Sequence, residues 1–421
     1  MNKKRLVNLL QNTALVILSV TALLLLVRTP LLDGAVRGQM RELLSSSESA
    51  QRREFDLTES VAAVHIAVTD DYEFGRYTDI NVPTDGAEFQ KLSPLLREAM
   101  GSATTRKVVT ELEFRTALRS PGIYVDLAAV LPVSVVAAWL GEEFEGDDTV
   151  RAVALTTAWE TATLYFLRGD GTLLRCESAL TSSAVREIVA QFSPNGGQLA
   201  YESEHGALAP YTVLVREAGP FAQVNASLPA GYSAYNLLAA LEFNPHTYAR
   251  YVESGGTEVV LQSPHILRIG VDGTVRYSSS GEVTDELYRI TGTDSIPTAA
   301  EALHGACVLA SALSRGTDAA PLSLDAVEKT EQGWVISFCY RVDGVRVRLS
   351  EDRCALRVNI VGDTITEFEY YCRSYTALDE SSVILPASMA AAVAAMHDGA
   401  ELAVAYVDSG AGALSAHWFA E

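Results

Sequence analysis

Short runs of alternating hydrophobic and polar positions recur from about residue 55 to the end of the chain, and they predict β-strands. The clearest run is "WVISFCY", residues 334–340, which is followed by an Asp343-Gly344 hairpin turn and by a second alternating run, "VRVRL". Its large side chains share one face with a period of two: Trp334, Ile336, Phe338 and Tyr340. This face predicts a core surface rather than a binding groove.

Fewer segments have the three- to four-residue hydrophobic spacing of an amphipathic helix. The run "FQKLSPLLREAM" has it at residues 89–100, and Thr298 can N-cap a helix over residues 299–315. Shorter helices are predicted for "SAYNLLAALEF", residues 233–243, and, over one or two turns, for "HTYARYV", residues 246–252. The mixture predicts an α+β fold of antiparallel sheets packed with helices.

Two hairpin patterns resemble each other. "LRIGVDGTVRY", residues 267–277, and "LRVNIVGDTITEFEY", residues 356–370, both begin with Leu-Arg, break at a Gly/Asp turn and end a second strand with Tyr. Each follows a predicted helix, so we expect a duplicated unit of one helix and an antiparallel meander. The alternative is two unrelated hairpins that use common turn chemistry.

The N-terminus has a different pattern. Lys3, Lys4 and Arg5 precede 22 residues without a formal charge, Leu6 to Val27. At 1.5 Å per residue this helix is about 33 Å long, enough to cross a bilayer core of about 30 Å. The basic residues predict a cytoplasmic N-terminus. A cleaved signal peptide is the alternative, but the segment is long for one and lacks an A-x-A cleavage site.

Breaks in composition divide the chain into six segments. We predict a cytoplasmic tail (1–5), a transmembrane anchor (6–28), a polar stalk (29–54) and three extracytoplasmic α+β domains (55–198, 199–290 and 291–421). The break "SPNGGQ" at residues 193–198 is the clearest of these. The two repeated hairpins predict that the second and third domains are related.

Charge narrows the choice of partners. The chain of 421 residues has a net charge of −21, and its first 28 residues hold four cations and no acids. The remainder therefore carries 28 basic and 53 acidic residues, a balance of −25. Such a body is repelled by nucleic acid and by anionic lipid headgroups, so we expect no nucleic-acid partner.

No pattern in the chain indicates catalysis. The seven histidines form no H-E-x-x-H motif, and there is no G-x-S-x-G elbow or P-loop. We therefore expect no enzyme, no cofactor and no metal. The five cysteines form no C-x-x-C pair, so buried free thiols are expected, with one disulfide among the last three as the open alternative: Cys176, Cys307, Cys339, Cys354 and Cys372.

Within the predicted anchor, polar and small residues recur at helical spacing. This stripe consists of Asn8, Asn12, Leu15, Ser19 and Ala22. Polar groups in lipid seek partners and small side chains allow close helix approach, so the stripe is a candidate face for docking another transmembrane helix. In the alternative, the polar residues only mark the cytoplasmic interface.

Local patterns in all three predicted domains point to one family. These patterns are "GIYVDLAAVLPVSVVAAWLG" (122–141), "LLAALEFNPHTYARYVESGGTEVV" (237–260), "GWVISFCYRVDGVRVRL" (333–349) and "ALRVNIVGDTITEFEYYCRSY" (355–375). With the layout of one span and a large outer body, they resemble the YycH family. The C-terminal part is also similar to YycI and, distantly, to PepSY-like modules.

The resemblance implies regulation without catalysis. Members act with YycI on the YycG (WalK) sensor histidine kinase, which controls cell-wall metabolism in low-GC Gram-positive bacteria. We therefore expect a single-pass membrane protein with its bulk outside the cell, a kinase as partner and a heterodimer with a YycI-like protein. The alternative function is a tethered PepSY-like module that binds or inhibits a peptide or protease.

Overall fold

Antiparallel strand pairing dominates the computed structural model, which describes residues 60–420 except for a few short gaps: 145, 147, 158–159, 248, 281–286, 292–294, 351–352 and 411. Within these residues the fold is mixed α+β and rich in sheet. The strands are β1 Ala63–Thr69, β2 Tyr77–Pro83, β3 Thr104–Val108, β4 Gly122–Pro132, β5 Thr149–Thr156, β6 Thr161–Arg168, β7 Leu173–Thr181, β8 Gln198–Leu199, β9 Val213–Leu214, β10 Ala222–Ser227, β11 Arg250–Val252, β12 Glu258–Gln262, β13 His265–Ile269, β14 Thr274–Ser279, β15 Leu322–Lys329, β16 Gly333–Val342, β17 Val345–Leu349, β18 Leu356–Val361, β19 Thr364–Tyr371, β20 Ser374–Ser381, β21 Leu402–Asp408, β22 Gly412–Leu414 and β23 Ala416–Ala420.

Seven α-helices accompany the strands of the described chain. They are α1 Ala87–Gly101, α2 Glu111–Ala117, α3 Val133–Trp139, α4 Ser182–Val189, α5 Ala234–Ala240, α6 Ala299–Ser314 and α7 Ala387–Ala394. As predicted, Thr298 caps α6: its hydroxyl accepts a hydrogen bond from Glu301 N at 3.3 Å, and the Glu301 carboxylate accepts one from Thr298 N at 2.8 Å. This reciprocal capping box satisfies two backbone donors at the helix start.

The N-terminal strands form one antiparallel group in the order β2, β1, β4, β5, β6, β7, β3. Strand β4 is central and almost wholly buried, which explains its nearly continuous apolar sequence. Helix α1 buries Phe89, Leu92 and Leu96 against this part of the core.

A second run of strands continues the sheet in the order β11, β12, β13, β14, β19, β18, β16, β15. Strand β16 also pairs with β17, and β17 is joined through β21 to β23. The predicted stripe of β16 lies in the core, since Trp334, Phe338 and Tyr340 are at most 2% exposed. A parallel contact between β15 and β4, at Ala326 and Val130, connects the two groups into one 18-stranded sheet.

The two repeated hairpins are hydrogen-bonded neighbours. The first is β13–β14 and the second is β18–β19, and their second strands pair antiparallel from Thr274↔Tyr371 to Ser278↔Glu367. They form four adjacent strands of one sheet, which bridges the predicted boundary at residue 290. The described residues belong to one compact unit, and the inner domain boundaries and the duplication stay predictions.

One local prediction is wrong. "HTYARYV" contains no helix in its described residues; instead Arg250–Val252 is strand β11, because pairing with β12 outweighs the local pattern. His246, the first residue of this segment, lies in a turn. The five cysteines are all unpaired, and four of them are buried, as expected for free thiols. No helix in the described ranges is long and apolar enough to cross a membrane, and the predicted anchor lies outside those ranges.

Candidate binding cleft and contact surface

A polar cleft of about 260 Å³ opens where the two strand groups meet. We call it the junction cleft and define it by six of its lining residues: Asn81, Asp126, Arg151, Thr212, Asp325 and Arg341. They come from β2, β4, β5, the segment before β9, β15 and β16. Six separate segments therefore converge on one site.

Backbone irregularities bring these side chains together. The β4–β5 register shifts between Asp126 and Leu131, and Ala128 within this bulge has a φ of 49°. Asn81 has a φ of 57° and lies beside a bulge in β1–β2. Positive φ is unusual for alanine, and such strain tends to persist where the surrounding structure fixes a functional conformation.

Arg151 holds two acidic groups at one wall of the cleft. Its guanidinium lies 3.3 Å from Asp126 Oδ2 and forms an ion pair with Glu401, which also lines the cleft. Asp126 is 3% exposed and accepts a further hydrogen bond from Ala128 N at 2.9 Å. This wall therefore carries one negative charge more than it has positive, because two carboxylates share one arginine, and the backbone N–H of Ala128 gives Asp126 a further hydrogen bond.

The opposite wall of the cleft has a different balance of charged groups. Arg346 donates to Asp325 Oδ2 at 2.8 Å and forms a local ion pair. Arg341 instead donates to two backbone carbonyls, Gly344 O at 3.0 Å and Ala128 O at 3.3 Å. No carboxylate of the described residues lies within ion-pair distance of Arg341, so its charge is met by neutral acceptors only.

Two buried polar atoms of the cleft have no hydrogen-bond partner within the described structure: Asn81 Nδ2 and Thr212 Oγ1. Both residues are 6% exposed. A buried polar group without a partner costs about 1–3 kcal/mol, so each one calls for an explanation. Together with Arg341 they provide three donor groups among the residues that line the cleft.

A smaller cavity of about 180 Å³ adjoins the junction cleft and shares Asn81 with it. Asp79 lies in its wall, and burial raises the pKa of this carboxyl. Tyr406 donates its hydroxyl proton to Ala222 O at 2.7 Å, and burial, with Asp343 nearby, raises its pKa to about 12. Tyr406 therefore keeps its proton near neutral pH.

An exposed apolar surface lies on the outer side of α7. The inner side of this helix is alanine, and Ala387, Ala390, Ala391 and Ala394 are buried. The α7 outer face consists of apolar residues that are 51–91% exposed: Val383, Leu385, Met389, Val393 and Met396. The neighbouring strand β20 pairs only with β10 among the described strands, so its other edge is open.

The remaining predictions concern the anchor stripe, metal binding and the cysteines. The anchor stripe of Asn8, Asn12, Leu15, Ser19 and Ala22 lies outside the described residues. In the described ranges no group of three or more His, Cys, Asp or Glu residues is arranged to hold a metal ion. Burial raises the pKa of the Cys372 thiol to about 11, which leaves little nucleophilic thiolate at neutral pH.

Comparisons with known protein families, with the curated proteins and with the solved structures found no significant match. The resemblance to the YycH family stays an expectation based on the sequence patterns that suggested it.

Proposed function

We propose that the protein is a membrane-anchored extracytoplasmic regulator of a sensor histidine kinase of the WalK type, with a role in cell-wall metabolism. It acts through protein–protein and transmembrane helix contacts, and it catalyses no reaction. A regulator of this kind needs only different affinities for two kinase states, and about 1–3 kcal/mol shifts such an equilibrium 5–150-fold.

The observation that carries this proposal is the α7 outer face. Large apolar side chains are normally buried, but Met389 and Val393 on α7 and Met396, just after its end, are 56%, 57% and 80% exposed. Met389 and Val393 are four residues apart and so share one face of α7, and Met396 extends this stripe into the turn that follows the helix. An exposed stripe of this kind is typical of a surface that another protein covers.

Charge favours a protein over lipid as the occupant. Asp379, Glu380 and Asp398 are exposed in the segments that flank the stripe. An anionic membrane surface would repel this rim, as it would the rest of the acidic body. The partner that fits is the extracytoplasmic part of the kinase, with an apolar patch and basic residues around it.

The anchor would supply the second contact. In the proposed arrangement the stripe from Asn8 to Ala22 packs against a transmembrane helix of the kinase, where polar and small side chains support close approach. A heterodimer with a YycI-like protein would add a further surface, for which the open edge of β20 is suitable.

Kinase-dependent reporter output in cells that carry full-length variants tests the proposal. We expect loss of kinase control when residues 1–30 are replaced by an unrelated span, and also in the variant Met389→Ser/Val393→Ser. The control is Leu112→Ser, because Leu112 is 76% exposed on α2 and lies outside the α7 outer face. Normal control of the kinase by both altered proteins would contradict the proposal.

A second candidate function is a tethered binding module, and the junction cleft favours it. The unpartnered Asn81 Nδ2 and Thr212 Oγ1 and the cation Arg341 line one polar space, which is what a ligand site requires. The two functions are compatible, since a bound ligand could change how the body contacts a kinase.

A further inference from the structure

We propose that the junction cleft binds the carboxylate of a small zwitterion, an amino acid or a dipeptide with a free C-terminus. The inference rests on the second candidate function, the binding module, and does not depend on the contact with a kinase. Three groups carry it: Asn81, Thr212 and Arg341.

The donors in the cleft outnumber the acceptors that satisfy them. Arg341 is fixed by the carbonyls of Gly344 and Ala128, which hold its planar guanidinium in place without neutralising it. The amide nitrogen of Asn81 can donate two hydrogen bonds, and the hydroxyl of Thr212 can donate one. A carboxylate has two oxygens that accept several hydrogen bonds and neutralise an arginine, so it matches this set.

The other charges of the cleft select against a simple anion. Asp126, Asp325 and Glu401 are already paired with Arg151 or Arg346. Glu328 also lines the cleft, is exposed, and forms no ion pair within the described chain. A ligand that carries an ammonium group as well as a carboxylate can therefore meet both an unpaired cation and an unpaired anion.

The volume of the junction cleft limits the size of the ligand. Sites for drug-sized ligands usually measure about 300–1,000 Å³, and the junction cleft measures about 260 Å³. An amino acid or a dipeptide fits this space, and a folded protein segment does not. Asn81 and Ala128, both with positive φ, lie at irregularities in the strand register that the neighbouring strands hold in place, which lowers the cost of ordering this part of the cleft on binding.

Calorimetric titration of the full-length protein in detergent micelles tests the inference, with L-alanyl-L-alanine as the probe. We expect saturable binding that weakens about 10-fold or more when the C-terminal carboxylate is replaced by an amide. An N-acetylated dipeptide should also bind more weakly. Absence of saturable binding, or equal binding of the amide, would overturn the carboxylate site. Equal binding of the acetylated form would overturn the assignment to a zwitterion.

Three variants connect the binding to the cleft. Thr212→Val removes a hydroxyl that has no partner, so thermal stability should not fall while affinity does. Asn81→Asp keeps a residue that tolerates positive φ but places a carboxylate beside that of the ligand. Arg341→Gln removes the cation, and Arg357→Gln, at an exposed position of β18, is the matched control.

We expect weaker binding in the three cleft variants and unchanged binding in the control. If Arg341→Gln does not fold, the other two variants still decide the question. Wild-type affinity in both Thr212→Val and Asn81→Asp would overturn the assignment to this cleft. Kinase control in cells is measured separately, so loss of binding with normal control, or the reverse, shows which of the two proposals fails.

Discussion

Tyr277 and Phe368 stack across the seam between the two repeated hairpins, with ring centroids 5.1 Å apart and ring planes at 12°. They are directly paired residues of β14 and β19. Tyr288 also stacks on Tyr277, with ring centroids 4.5 Å apart, and the three rings are at most 3% exposed. This aromatic stack fastens the first hairpin to the second.

The stack lies at the boundary between two predicted domains, yet we expect it to contribute strongly to the stability of the fold. Tyr277→Ala should reduce the free energy of unfolding by about 3–5 kcal/mol, because it removes a large buried ring. A double-mutant cycle with Phe368→Ala should give a coupling of about 0.5–1.5 kcal/mol from ring stacking. Chemical denaturation of the full-length protein measures both values. Purely additive effects would show that the two hairpins are energetically independent.

The buried ion pair between Arg373 and Asp408 gives a second prediction. Their Nε and Oδ2 atoms are 3.1 Å apart, and the side chains are 3% and 0% exposed. Asp408→Asn should cost about 3–5 kcal/mol, because it leaves the arginine buried without its counter-ion. The exposed pair Arg276–Glu369 is the control, and Glu369→Gln should cost about 1 kcal/mol or less. A similar loss of unfolding free energy in the two variants would contradict the claim that the buried pair stabilises the fold more than the exposed one.

A pH dependence follows from Glu202. Burial alone would raise the pKa of Glu202, but hydrogen bonds and the charge of Arg76 outweigh it and lower the pKa from its ordinary value of 4.5. The lowered pKa contributes stability that is fully present above pH 4.5 and is lost as the pH falls below it. Melting temperatures between pH 3 and pH 7 should therefore fall less steeply at acidic pH in Glu202→Gln than in the wild type. Parallel curves would contradict this role.

Thiol labelling tests the cysteine environments. Cys176, Cys307, Cys339 and Cys372 are buried, and burial raises the pKa of each thiol, while Cys354 is partly exposed. We expect a maleimide at neutral pH to modify Cys354 in the native protein, and the other four only after unfolding. Intact-mass measurement counts the labels. Rapid labelling of all five in the native state, or of Cys354 last, would contradict these environments.

Local patterns predicted those elements that depend on local chemistry. The N-cap at Thr298, the turn at Asp343-Gly344 and the period of β16 are all present, because each is specified within a few residues. Strands that depend on distant partners were missed or mistaken. Arg250–Val252 is extended because β12 lies beside it. Strand β15 forms between β16, which follows it in the chain, and β4, which lies almost 200 residues earlier.

The junction cleft could not be predicted from the sequence. Asp126 stands alone in the apolar strand "GIYVDLAAVLP" and Arg346 alternates with apolar residues, so both were visible as polar positions in strands. Their convergence depends on the parallel contact at Ala326 and Val130, for which no local pattern exists. That Asn81 Nδ2 and Thr212 Oγ1 lack hydrogen-bond partners can be seen only in the folded structure.

The central claim is that the protein regulates a sensor kinase by touching it. Site-specific photocrosslinking in intact membranes, with the photoreactive residue at position 389 on the α7 outer face and at position 112 as the control, tests it most directly. We predict a crosslink from position 389 to the extracytoplasmic part of a sensor histidine kinase, identified by mass spectrometry, and none from position 112. Capture of no kinase from position 389, under conditions where the full-length protein still controls the reporter, would contradict the claim.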